Sequence, residues 1–207
     1  MYSKFYALEL EKRERIINAA FEEFAQNGYD KASTNKIIKD AEISKGSLFN
    51  YFKSKKDLYL FLLEYMAQII DKIYNEIDFN ETDLFERLKD IGLIKFKIMN
   101  KFPKAFDFLK RTGKEKSDEV KIEIDIINKQ FIKEGLENGY QNIDFTKFRD
   151  DIDLQKTLDI INWTILSFAM QQADKLNSYE DINMELLEEW DSYFDIMKRC
   201  FYKEGEK

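Results

Sequence analysis

The sequence predicts an all-α protein in two parts, and three observations carry that prediction. A chain of 207 residues holds one Pro and seven Gly, too few breakers for a fold of turns and strands. Apolar residues make up 44% and recur three and four apart along most of the chain. Charge is shared unevenly: residues 1–56 carry a net +3 and residues 57–207 a net −10. The split implies a small basic head, residues 1–56, and a larger acidic body, residues 57–207.

After a polar lead of about ten residues, Ile16, Ile17, Ala20, Phe21 and Phe24 place a helix from about Lys12 to Asn27, ended by Gly28. Ser33 is placed to cap a short helix with Ile37, Ile38 and Ala41 inward. Ser44 is placed to cap another with Leu48 and Phe52 inward. Roughly three residues remain for the corner between them, the connection of a helix-turn-helix. Ser54-Lys-Lys-Asp57 then has the form of a capping box opening a long fourth helix, to about Ile77.

The outward side of the second short helix suggests a surface for DNA. Lys45, Gly46, Ser47, Phe49, Asn50 and Tyr51 occupy the positions that Leu48 and Phe52 leave free, and none is needed for a core. Gly46 costs about 1 kcal/mol against Ala in a helix but lets a phosphate or base edge come close. Ser33 to Lys56 holds six Lys against Asp40 and Glu42. Thr34 and Ser44 add hydroxyls, and Lys55 and Lys56 lie at a helix start, where free amides favour phosphate. The acidic body would be repelled by DNA and so orients the docking.

Asn27-Gly-Tyr29, Ser33-Thr34, Ser44-Lys-Gly-Ser-Leu-Phe-Asn-Tyr-Phe52 and Ser54-Lys-Lys-Asp-Leu58, in this order and spacing, resemble the DNA-binding domain of the TetR family of bacterial transcriptional regulators. The resemblance covers about the first 65 residues. It departs at Phe49, where Tyr is common, and at Asn50, where Tyr or His is frequent. It implies a three-helix DNA-binding domain followed by a helical domain for ligand binding and dimerisation.

In the body, helices are predicted at about 84–101, from Pro103 to Gly113, at 117–138, 154–175 and 184–203. The last two carry heptad-like seams, Leu158, Ile161, Ile165 and Phe168 on one and Leu187, Trp190, Phe194, Met197 and Phe201 on the other. These seams are read as a dimer interface, with Ile160, Trp163, Leu166, Leu186 and Tyr193 left for the subunit's own core. Phe96, Met99, Phe102, Phe106, Phe131, Trp163 and Met170 are the adaptable side chains from which an apolar ligand pocket is built, although a packed core has the same pattern.

One Cys and no His exclude a disulfide framework, a Cys/His zinc site and a Cys-His or Ser-His catalytic pair within the chain. No catalytic residue, metal or cofactor is expected. The acidic turn Asp150, Asp151 and Asp153 reads as a helix start. Neither an export signal nor a run of 18 apolar residues occurs, so a cytoplasmic protein without membrane contact is expected. The expectation is a homodimer that binds double-stranded DNA at a palindromic operator and represses until a small apolar effector releases it. The alternatives are a regulator of the same fold without a ligand, and a helical interaction module.

Overall fold

The computed structural model describes residues 2–205, which form ten α-helices joined by short loops. These are α1 (Ser3–Tyr6), α2 (Leu10–Lys31), α3 (Thr34–Asp40), α4 (Lys45–Tyr51), α5 (Lys55–Asn75), α6 (Leu84–Lys101), α7 (Pro103–Thr112), α8 (Lys121–Tyr140), α9 (Leu154–Lys175) and α10 (Glu185–Phe201). Among the described residues the strand-like pairing is one isolated bridge, Phe148 with Tyr202. No described helix is long and apolar enough to cross a membrane.

Compactness cuts the chain differently from charge. One unit runs to Asp71 and takes in Phe102–Ile132; the other takes Lys72–Lys101 and Lys133 onward. The chain thus changes unit three times, within α5, between α6 and α7, and within α8.

In the first unit an aromatic core joins segments far apart in sequence. Phe24 meets Tyr59 at 5.0 Å between ring centroids, and Phe108 of α7 meets Tyr59 at 5.1 Å and Phe21 at 5.3 Å. The first ten residues are more than a polar lead. Phe5 of α1 is fully buried, 5.0 Å from both Phe52 and Phe61, and the Tyr2 hydroxyl donates to Asp57 Oδ1 at 3.0 Å. Gly28 breaks α2 with φ 68°, and a further turn runs on to Lys31. A β-carbon there would lie 2.6 Å from Arg111 Nη2, so the α7 side chain presses on bare backbone. Glu115, just beyond α7, fastens the join: its carboxylate accepts the amides of Tyr29 at 2.7 Å, Lys116 at 2.9 Å and Ser117 at 3.0 Å. Burial pulls its pKa up, but those amides and Arg111 outweigh it and hold the group below the ordinary carboxylate value.

The second unit closes on Leu84, Phe85, Ile143, Phe148, Ile161, Phe194, Met197 and Tyr202. Buried Asp83 caps α6 through the amides of Phe85 and Glu86 and also meets Lys147 and Lys198, each at 3.2 Å. Burial raises its pKa; the Glu86 amide and the two ammoniums outweigh that and lower it. Asp153 caps α9 by accepting the Lys156 amide at 3.1 Å. The predicted end at residue 138 is overrun, because α8 continues through Gly139 to Tyr140 and the left-handed residue is Asn142, φ 60°.

The seams on α9 and α10 are turned the other way from the sequence reading. Ile161, Phe194 and Met197 are buried in this unit's own core, and Leu158, Ile165, Trp190 and Phe201 pack against that core. The residues expected inside, Ile160, Trp163, Leu166 and Tyr193, are exposed, Trp163 by 66%. The cause is that both helices are apolar on two sides, and α6 with the segment around Phe148 takes the heptad side.

Candidate nucleic-acid interface

The two short helices are built by their caps. Ser33 Oγ accepts the Lys36 amide at 3.4 Å, and Ser44 Oγ accepts the Ser47 amide at 3.1 Å. Inward, Ile37, Ala41, Leu48 and Phe52 are all but completely buried. The corner between them places Glu42 at φ 53°, a left-handed turn that brings Ile43 N–H back to the Ile38 carbonyl at 3.1 Å. With both caps and four inward side chains fixed, the free side of α4 has one orientation.

That side presents Lys45, Gly46, Phe49 and Asn50 to solvent, with Ser47, Tyr51 and Thr34 half-buried beside them. Phe49 is an exposed aromatic without a place in the core. A β-carbon on Gly46 would meet only Ser44 Oγ, at 4.0 Å, so nothing inside the protein requires glycine there. The bare backbone faces outward, where an approaching molecule would use it.

Two lysines read as phosphate contacts have partners within the unit. Lys55 Nζ donates to the carbonyls of Tyr29 at 2.8 Å and Asp30 at 3.1 Å, and stands 4.6 Å from the Tyr29 ring centre. Lys56 pairs with Glu123 of α8 at 2.8 Å. The helix start they belong to is capped as expected, with the Asp57 amide donating to Ser54 Oγ at 3.1 Å and the Lys53 amide to Asp57 Oδ2 at 2.8 Å. Conversely, Lys4 of α1 donates to Asn50 Oδ1 at 3.1 Å, adding a cation beside the outward face. Tyr2 and Phe5, three apart in the lead, were the sequence signal for that helix.

The residues proposed for a pocket fall in both units. Phe102, Phe106 and Phe131 belong to the first unit, whereas Trp163 and Met170 are 66% and 69% exposed in the second. Phe96 and Met99 do line a cavity, formed with α9 and α10.

A capped pair of helices with a free, glycine-bearing face, attached to a second helical unit, defines a helix-turn-helix protein. Residues 16–61 match the family model described as bacterial regulatory proteins, tetR family, and the chain is similar to that family over this segment. The fatty acid metabolism regulator protein of Bacillus subtilis is 39% identical over 64 residues, which is 30% of this chain and 33% of that protein's length. The chain's match therefore spans a third of that curated relative. IcaR, the negative transcriptional regulator of the biofilm operon icaADBC in Staphylococcus aureus, is 26% identical over 160 residues, 75% of this chain and 79% of its own. A TetR family regulator from Chloroflexus aurantiacus has the same fold over 97% of both chains, with TM-score 0.63 and 23% identity. FadR of Bacillus subtilis in complex with stearoyl-CoA covers 89% of this chain and 96% of its own, with TM-score 0.56 and 22% identity.

Proposed function

We propose that the protein is a transcriptional repressor that binds a palindromic operator through α4 as a homodimer and leaves it when a small apolar effector binds. The observation that carries the reading is the outward face of α4, where Gly46 is unexplained by internal packing and Lys45, Phe49 and Asn50 stand free of the core. Residues 1–56 read the DNA, with Thr34, Ser44, Ser47 and Tyr51 as flanking contacts; residues 57–207 hold the effector and the dimer contact. Exposed Ile160, Trp163, Leu166 and Met170 of α9 and Tyr193 and Ile196 of α10 supply an apolar face for the second copy. The effector enters the second unit; that a regulator of this fold, FadR of Bacillus subtilis, is found in complex with stearoyl-CoA supports a ligand-bound state.

Effector and operator are coupled through α5 and α8, the helices in which the chain changes unit. Half-sites lie about 34 to 36 Å apart, so a shift of a few ångströms per subunit mismatches the second. The experiment is anisotropy with duplex DNA from upstream of the protein's own coding sequence, over a salt series and against a library of apolar compounds. Specific, salt-dependent binding lost on adding a compound supports the reading. Reciprocity requires that saturating operator weaken that compound's binding by the same factor. Binding that no compound alters favours a regulator without a ligand, and no DNA binding favours an interaction module.

A further inference from the structure

Within the second unit, α6, α9 and α10 line an open pocket of about 130 Å³. Its walls are apolar, with Phe96 and Met99 from α6, Ile165 and Phe168 from α9, and Leu187 and Trp190 from α10. Gly92 lets the indole lie against bare backbone, since a β-carbon there would come within 3.0 Å of Trp190 Nε1. A single charged side chain lines the space: Lys95, one helical turn beyond Gly92. Lys95 forms no ion pair among the described residues, and although part of the residue reaches solvent, desolvation of its ammonium among these apolar walls holds its pKa below the ordinary lysine value. The acids Asp181, Glu185 and Glu189 line an adjoining polar depression with Lys175 and Gln172, and none of those acids lines the cavity.

An apolar pocket lined by one cationic side chain that has no counter-ion among the described residues complements an amphipathic anion. The apolar body gains by leaving water, and the carboxylate supplies the opposite charge that the desolvated ammonium lacks. Volume sets the size of the body. A dry apolar cavity of about 150 Å³ accepts benzene, so this one holds about six carbons, its open side leaves room for one or two more, and a long acyl chain overruns it.

We propose that the cavity binds a small monocarboxylate with an aryl or short alkyl body, its carboxylate paired with Lys95. This rests on the reading that the second unit holds the effector. The test is calorimetry on the full chain with octanoate, 3-phenylpropionate, octanol, octylammonium and stearate, with operator binding followed in parallel. Octanoate and 3-phenylpropionate are expected to bind at least tenfold more tightly than octanol, and octylammonium not at all. Lys95→Met should remove that advantage while leaving octanol unchanged, and Lys95→Glu should move the preference to octylammonium. The proposal is overturned if octanol equals octanoate, if Lys95→Met keeps the preference, if stearate binds more tightly than octanoate, or if nothing binds because a second copy fills the cavity. A neutral compound that releases the operator while no carboxylate binds sinks this proposal and spares the effector reading. Carboxylate binding that leaves the operator untouched does the reverse.

Discussion

The α3–α4 pair and the α9–α10 pair are both two helices with an outer face, yet only the first has a single way to turn. In α3–α4 the helices have seven residues each, their caps are fixed by Ser33 and Ser44, and the buried side chains, Ile37 on one and Leu48 on the other, lie on one side of each. In α9–α10 the helices have 22 and 17 residues and carry apolar residues on two sides, such as Ile161 and Trp163 on α9. Periodicity finds both faces of such a helix and does not say which one a neighbour covers. The lesson is that one-sidedness, more than length or strength of pattern, makes an orientation legible.

The largest effect should come from charging the two sides of α10 and α9 separately. Phe194→Asp buries a carboxylate in the core and should cost about 5 kcal/mol or more, unfolding the chain in a thermal melt. Trp163→Asp should change chain stability by about 0.5 kcal/mol at most and yield folded monomers in sedimentation. A folded, monomeric Phe194→Asp would restore the heptad side as the interface.

Next in size is the brace that the first unit borrows from α7. Phe108→Ala should cost about 3 to 5 kcal/mol in urea unfolding and reduce DNA binding with it. Unaltered DNA affinity and stability would show that the α2–α5 head stands without α7.

Acid should separate the two fastenings from the rest of the fold. Asp83 and Glu115 titrate lower in the fold than in the unfolded chain, so their contribution is complete above about pH 4 and is lost as pH falls further. The stability gap between wild type and Asp83→Asn should therefore narrow between pH 6 and pH 3 in denaturant titrations. A constant gap would contradict the lowered pKa.

The smallest changes sharpen the α4 face. Gly46→Ala should leave the fold equal or stabilise it by up to about 1 kcal/mol, while weakening DNA binding at least tenfold by anisotropy. Lys45→Ala should lower the salt slope of binding by about one, whereas Lys56→Ala, whose ammonium is held by Glu123, should leave the slope within error. Equal slopes for both variants would put Lys56 on the DNA as well.

Much of the fold was legible because caps, breakers and spacing agree locally: α6, α7 and α9 fall where the sequence placed them. What escaped was long-range pairing. Nothing in Ser54-Lys-Lys-Asp57 announces that Lys56 meets Glu123, 67 positions away, or that Lys55 turns to the carbonyl beyond Gly28. Phe102, Phe106 and Phe131 had the composition of a pocket lining, but composition does not tell which unit a phenylalanine joins. Gly46 was readable for the opposite reason: its surroundings are local, and its oddity in a helix is visible in one turn.

The first unit's dependence on Phe108, Arg111 and Glu115 has a consequence for the order of events on the ribosome. The segment matched by the family model ends at residue 61, yet its aromatic core waits for residues made roughly fifty positions later. At about 5 to 20 residues per second, that is a delay of about 2 to 10 s. During it Phe21, Phe24 and Tyr59 lack their cover, and the nascent head offers chaperones an apolar surface that the finished protein hides.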